Sequence, residues 1–466
     1  MAKSQRTKRD EKRELSRRAL IKWTVSAGAA LGVARSKIFD IIEGSADKEL
    51  AYAAAANPTT RSVHLVAGNG GLSWFTQFWP YPDIAAGATS SNQLAWGWPG
   101  MQKTVSGTTN PLTVGPATPW TSLTAAQQVT CFMCGGNETH TRQPQTTVTL
   151  NGSNIFSVAT ALQSASPSVI PIVTLADVDI GSAPGSAQAT NVPDAASIVG
   201  LFNSAASQAG GLLAKSNDAT LYKAQYDAFT QLNAAANRST TKISYTTASG
   251  AAGFLGTNLA AQLAITSDDL TRYGITSTTR STVLAIANAL IVGVKAFKMG
   301  LTNCLVLPAM DDDPHDAFDV GDVLIVPLQL QSVFNAFMAD LQNTTDTATG
   351  QALADDTVIT IHGDTPKNCL AKAGWLDGTQ MNTNEVFVYS AGYLNTGWYG
   401  SVDRNGNVTG FDANGKPTAG TYDGTTSAQL ACASIAYAIA KGDERAISAF
   451  ANGLTIGGPF GVLQTT

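Results

Sequence analysis

Along this chain, short runs of β-branched and aliphatic residues alternate with longer segments in which apolar side chains recur every three or four positions. The runs that read as strands are Ser62–Ala67, Val169–Leu175, Asn303–Ala309, Thr357–His362 and Glu385–Ala391. Between the third and fourth, Leu330, Phe334, Phe337, Met338 and Leu341 fall on one face of a helix over 328–342, which predicts a βαβ unit. Residues 193–236 and 281–299 are Ala-rich and helical in period, with Tyr222, Tyr226, Phe229 and Leu232 forming a stripe that reads as core packing. Asn405-Gly406 and Asn414-Gly415 mark hairpin turns, because Asn and Gly tolerate positive φ. Alternation of this kind predicts an α/β fold: a mostly parallel sheet covered by helices on both faces, with a helical insertion at about 193–300.

Composition narrows the class of protein. The 466 residues carry 29 Lys+Arg against 34 Asp+Glu, a formal charge of −5, which excludes a dedicated nucleic-acid binder relying on counterion release. Residues 1–22 hold nine basic and three acidic side chains, so a leader of +6 precedes a body of −11. Within it, Ser16-Arg17-Arg18-Ala19-Leu20-Ile21-Lys22 precedes an uncharged stretch from Trp23 to Ala34, followed by an Ala run ending at Ala56. This pattern resembles a twin-arginine export signal, in which a receptor reads the paired arginines and the apolar core is too short to remain as a span. Residues 1–56 are therefore expected to be leader. The remaining 57–466 are expected to form one large domain exported folded to the periplasm or beyond, with the twin-arginine machinery as partner. The apolar run from Thr282 to Phe297 contains Asn288 and Lys295 and reads as a buried helix, so no stable transmembrane anchor is expected.

Candidate chemistry gathers after two strands. Asp311-Asp312-Asp313-Pro314-His315-Asp316 follows the third run, and His362-Gly363-Asp364-Thr365-Pro366-Lys367 follows the fourth. Were those strands neighbours, carboxylates and imidazoles would meet at one sheet edge and invite a cation, although Asp and Pro also serve turns. His64 reads as a satisfied interior residue. Thr139-His140 after Gly135-Gly136 could place a hydroxyl beside an imidazole, as an activated nucleophile requires. Cys131-Phe132-Met133-Cys134 lacks a second ligand pair for zinc, so a local disulfide or two buried thiols is the better reading. Asp403, Asn405 and Asn407 echo a calcium loop whose Gly and terminal Glu are misplaced. Trp74, Trp79, Trp96 and Trp98 read as buried loop anchors or as a contact surface.

Taken in order, the twin-arginine leader, a first strand ending in Val66-Ala67-Gly68-Asn69-Gly70-Gly71-Leu72, Thr139-His140, Asp313-Pro314-His315 and His362 to Lys367 resemble the domain of unknown function 1501 family. Those exported bacterial proteins are similar to the alkaline phosphatase and sulfatase superfamily. The resemblance spans most of residues 60–450 and implies a three-layer α/β/α sandwich of alkaline-phosphatase-like type with a metal-dependent ester hydrolase site. The family's Trp-Asp-Thr-His motif is matched at Asp313 and His315, and its Arg-Thr-Pro at Thr365 and Pro366, with Asp364 in place of the arginine. Gly70 stands where the family carries a ligating aspartate, Ile361 near its later acidic residue, and Met381-Asn382-Thr383-Asn384 where it has an Asp-His pair. This implies at most one divalent metal, on Asp313, His315, His362 and Asp364, that polarises a phosphate or sulfate ester, with Thr139 as nucleophile and His140 assisting. The alternative is an inactive extracytoplasmic binding or structural protein of the same fold.

Overall fold

A computed structural model of the chain describes residues 59–67, 79, 103–104, 112–115, 117–121, 128–135, 149–164, 166, 168–176, 178–206, 224, 258–310, 322–346, 349–363, 383–403, 407–418, 420 and 422–451. The leader, including the arginine pair, lies outside the described residues, as does the stripe Tyr222 to Leu232. The chain divides into two compact units, one of Met1–Ala51 with Ile198–Ala264 and one of Tyr52–Ser197 with Ile265–Thr466. Described parts of the first are mostly helical and include Leu259–Leu263, where Asn258 accepts from the Ala261 N–H as N-cap.

The second unit is built on an eight-stranded sheet: β1 (Arg61–Val66), β2 (Val129–Cys134), β3 (Ile172–Leu175), β4 (Thr190–Val192), β5 (Cys304–Pro308), β6 (Thr357–His362), β7 (Asn384–Tyr389) and β8 (Gly397–Tyr399). Their order across the sheet is β4-β3-β5-β1-β6-β7-β2-β8. Every neighbouring pair is parallel except those made by β7, which runs antiparallel to both β6 and β2. The five predicted strands are all present. β5 and β6 are joined through a helix as the predicted βαβ unit, but β1 lies between them and pairs with both.

Because side chains alternate along a strand, register assigns each residue to a face. Val66, Phe132, Cys134, Cys304, Val306, Val358, Val386 and Val388 form one buried cluster with α1 (Ile155–Gln163) and α4 (Gly424–Ile439). Both helices begin at side-chain caps, Asn154 accepting from Ser157 N and Asp423 from Thr425 N and Thr426 N. On the opposite face, α2 (Ser281–Lys298) packs against β5 and against α3 (Asp322–Asn343). Gly293 brings α2 close to the sheet, since a Cβ there would lie 2.8 Å from the Leu305 side chain. α2 is long and apolar enough to cross a membrane, yet 61% of it is buried inside this unit, which matches the buried helix read from the sequence.

Hydrophobic runs buried on both sides are what a parallel sheet between helix layers requires. β1, β2, β6 and β7 are buried along their whole length. At the amino edge of β1, Arg61 anchors the packing: Nη2 donates to Asp346 Oδ2 at 2.7 Å and Nη1 to Asn303 Oδ1 at 2.9 Å. Aspartates bond within the segments of the predicted hairpins, although the turn residues Asn405 and Gly406 lie outside the described residues. Asp403 accepts from the backbone and side-chain N–H of Asn407, and Asp412 from the N–H of Asn414 and Lys416. Both Asp403 carboxylate oxygens accept within this segment, and Asn405 of the calcium-like pattern lies outside the described residues.

Cys131 and Cys134 both lie in β2, three residues apart, so their side chains leave opposite faces of the sheet. This excludes the local disulfide and selects the buried-thiol reading; Cys131, Cys134, Cys304 and Cys432 are all free and buried. Burial raises all four thiol pKa values, that of Cys304 to about 12. In the folded protein at pH 8 these four thiols should resist Ellman's reagent and react fully once the chain is unfolded in urea. Mass mapping of rapid native-state labelling to Cys131 or Cys134 would contradict their placement.

Candidate functional site

Since seven strands share one direction, the chain leaves β1, β2, β5 and β6 at the same edge of the sheet. Backbone bonds continue the pairing one residue past the strands: Ala67 N donates to His362 O at 3.0 Å, and Ala309 N to Val66 O at 2.8 Å. Strands in a sheet stand about 4.8 Å apart, so the ends of β5 and β6, separated by β1, lie roughly 10 Å from each other. The chain beyond β5 leads into 311–316, beyond β6 into 364–367, and beyond β2 into 136–140. Gly135, with φ 57°, makes the turn out of β2, and the Tyr422 hydroxyl donates to its carbonyl at 3.1 Å. The reversed strand β7 begins at this edge, where Asn384 Nδ2 donates to Gly363 O at 2.8 Å.

Of the predicted site residues, His362 is described; Thr139, His140, Asp313, His315 and Asp364 lie outside the described residues. In sequence they follow β2, β5 and β6, three strands that end at the same edge. Among the described residues no group of three His, Cys, Asp or Glu could hold a metal ion. Trp79 is 1% exposed, as a loop anchor would be and a contact surface would not; Trp74, Trp96 and Trp98 lie outside the described residues.

His362 is the last residue of β6, 2% exposed, and faces α1. Its Nε2 lies 2.6 Å from Thr360 Oγ1, which in turn lies 2.6 Å from Nδ1 of His64 on β1. Register explains the grouping: His64 pairs directly with Thr360, and His362 follows two residues later on the same face. Phe156 of α1 lies over both imidazoles, with ring centroids 5.0 Å from each. The interior reading of His64 is therefore right in placement but half right in satisfaction, since His64 Nε2 and His362 Nδ1 have no hydrogen-bond partner among the described residues. Desolvation lowers both pKa values, for His362 to about 3, so both rings are neutral at physiological pH. A neutral imidazole with an open nitrogen suits a metal ligand or a proton acceptor.

Sequence reasoning missed Glu385. Two residues into β7, it pairs with Met133 and shares the face of Phe387 and Cys131, opposite to His362. Its side chain is fully buried and neither carboxylate oxygen has a hydrogen-bond partner among the described residues. Burial pushes its pKa up to about 8, so it is mostly protonated at neutral pH. A lone acid inside an otherwise apolar strand was the available signal. It stands at the second position of β7, close to the carboxyl edge of the parallel strands.

Comparison with family models, with curated proteins and with solved structures gives no match.

The elevated pKa of Glu385 carries a sign. Folded protein holds a proton that the unfolded chain releases above its ordinary value near 4.5, so this contribution is full below that pH and is lost as pH rises toward 8. Urea unfolding from pH 5 to 8 should show wild-type stability falling by roughly 1 kcal/mol per pH unit relative to Glu385→Gln. Parallel curves for the two proteins would show that Glu385 ionises in the folded state as it does in the unfolded one.

Proposed function

We propose that the protein is exported by the twin-arginine route and hydrolyses phosphate or sulfate esters at the carboxyl edge of an alkaline-phosphatase-like sheet. The observation that carries this reading is the parallel placement of β5 and β6 on either side of β1, so that both strands end at the edge where His362 closes β6; Asp313, His315 and Asp364 follow these strands in sequence. Ligand sites in open α/β sheets lie beyond the carboxyl ends of the strands. The mostly parallel sheet between helices is also the coarse architecture that the family resemblance implies.

In this reading Asp313, His315, His362 and Asp364 hold one divalent metal. The fit rests on His362, whose ring is neutral and whose Nδ1 is unengaged. When bound, the metal supplies Lewis-acid polarisation of the ester and offsets charge in the transition state. The Thr139 hydroxyl attacks phosphorus or sulfur as the ester oxygen leaves. His140 takes the hydroxyl proton and returns it to the departing alkoxide, and water then releases the acid group and restores Thr139.

A second reading, an inactive extracytoplasmic binding or structural protein, is favoured by one observation: His362 is sealed beneath Phe156 rather than open to solvent. Metal analysis of exported protein separates the two. The hydrolase reading expects about one equivalent of divalent metal, lost in Asp313→Ala together with at least about 100-fold of the turnover of aryl phosphates or sulfates. Metal at trace level with no turnover across the ester panel selects the inactive protein.

A further inference from the structure

The chain His64–Thr360–His362 has a property that follows from counting protons. Thr360 Oγ1 carries one hydrogen and contacts two imidazole nitrogens at 2.6 Å each, with no other hydrogen-bond partner for its side chain among the described residues. Were both rings to donate, its hydroxyl hydrogen would be left buried without an acceptor, so it donates to one ring and accepts from the other. If His362 donates through Nε2–H, then Thr360 donates to His64 Nδ1, and His64 carries its proton on Nε2. If His64 donates through Nδ1–H, then Thr360 donates to His362 Nε2, and His362 carries its proton on Nδ1. In either arrangement the two neutral rings share the same tautomer, and the two outer nitrogens, His64 Nε2 and His362 Nδ1, are one donor and one lone pair.

We propose that Thr360 locks His64 and His362 into a common tautomer and thereby makes His64 a positioning residue for the edge site. Resting on the metal reading above, the tautomer is the Nε2-protonated one. Thr360 occupies Nε2 of His362, so only Nδ1 remains to meet a cation, and a ligating nitrogen must be a lone pair. Proton order then runs from His362 Nε2–H to Thr360 Oγ1–H to His64 Nδ1. Phe156 against both rings keeps their planes fixed, and the absence of competing partners keeps the order from being scrambled.

Long-range ¹H–¹⁵N spectra of the full chain, ring-labelled at histidine and recorded at pH 7, read the tautomers directly, with Zn²⁺ as the metal probe. The expected result is Nε2 protonation in both rings, with Zn²⁺ perturbing Nδ1 of His362. Thr360→Val should uncouple the tautomers and weaken Zn²⁺ binding by about 10–100-fold, and Thr360→Ser should restore both. His64→Phe keeps an aromatic ring against Phe156 and should likewise release His362 from a single tautomer, which a purely space-filling role for His64 would not do. Different tautomers in the wild-type rings, or spectra unchanged by Thr360→Val, would overturn the lock. A common tautomer in both rings that Zn²⁺ leaves unperturbed supports the lock and overturns the metal reading instead.

Discussion

Parallel pairing of β1 with strands on both of its sides is the constraint on which the central sheet depends. β1 aligns Arg61–Val66 with Thr357–His362 on one side and aligns Ser62–Val66 with Cys304–Pro308 on the other, so two distant stretches of chain end level with each other. Parallel strands need crossover connections, which carry the chain back over a helical layer before each new strand begins. The carboxyl ends of β5, β1 and β6 thereby stand side by side. Arg61 secures the opposite end, where its guanidinium holds Asp346 and Asn303 in a dry environment. Breaking a buried pair of this kind typically costs about 3–5 kcal/mol, because the charge left behind has no water to meet it.

The same burial dictates the state of the ionisable groups inside. His64 and His362 are neutral imidazoles and Glu385 is largely a neutral acid, since a charge surrounded by apolar strands and helices is disfavoured. Asp269 shows the contrast. Burial alone would raise its pKa, but Lys295 at 2.6 Å, the Thr266 backbone and Arg272 at 2.7 Å hold it well below the usual carboxylate range. Glu385 has no such donors, and the difference between these two carboxyls is a difference in partners. Polar groups kept inside a sheet without full partners are costly, and here they stand within a few residues of the edge where the loops emerge.

Much of the fold was legible because its elements are long and strongly periodic. Five central strands and the helices α2 and α3 follow from runs of aliphatic residues and from 3.6-residue spacing; α3 is longer than its predicted core and contains Pro327. β2 escaped because its Cys-Phe-Met-Cys run suggested thiol chemistry before it suggested a strand, while β4 and β8 are three residues each, too short for periodicity to register. Glu385 was counted as a strand residue and its charge went unweighed. His64 and Thr360 are separated by 296 positions, and no local pattern announces that they touch.

The sequence alone determined the class of fold, the main strands, the buried helix 281–298, the turn aspartates' neighbourhood and the two stretches rich in Asp and His, because these depend on local periodicity and on side-chain chemistry. Tertiary structure decided that β1 separates β5 from β6, that β7 runs backwards, that Cys131 and Cys134 face apart, and that His64, Thr360 and His362 are hydrogen-bonded in one buried chain. Those outcomes depend on which distant strands pair and in what register, and register is set by burying both faces of the whole sheet at once, a constraint that no single segment carries.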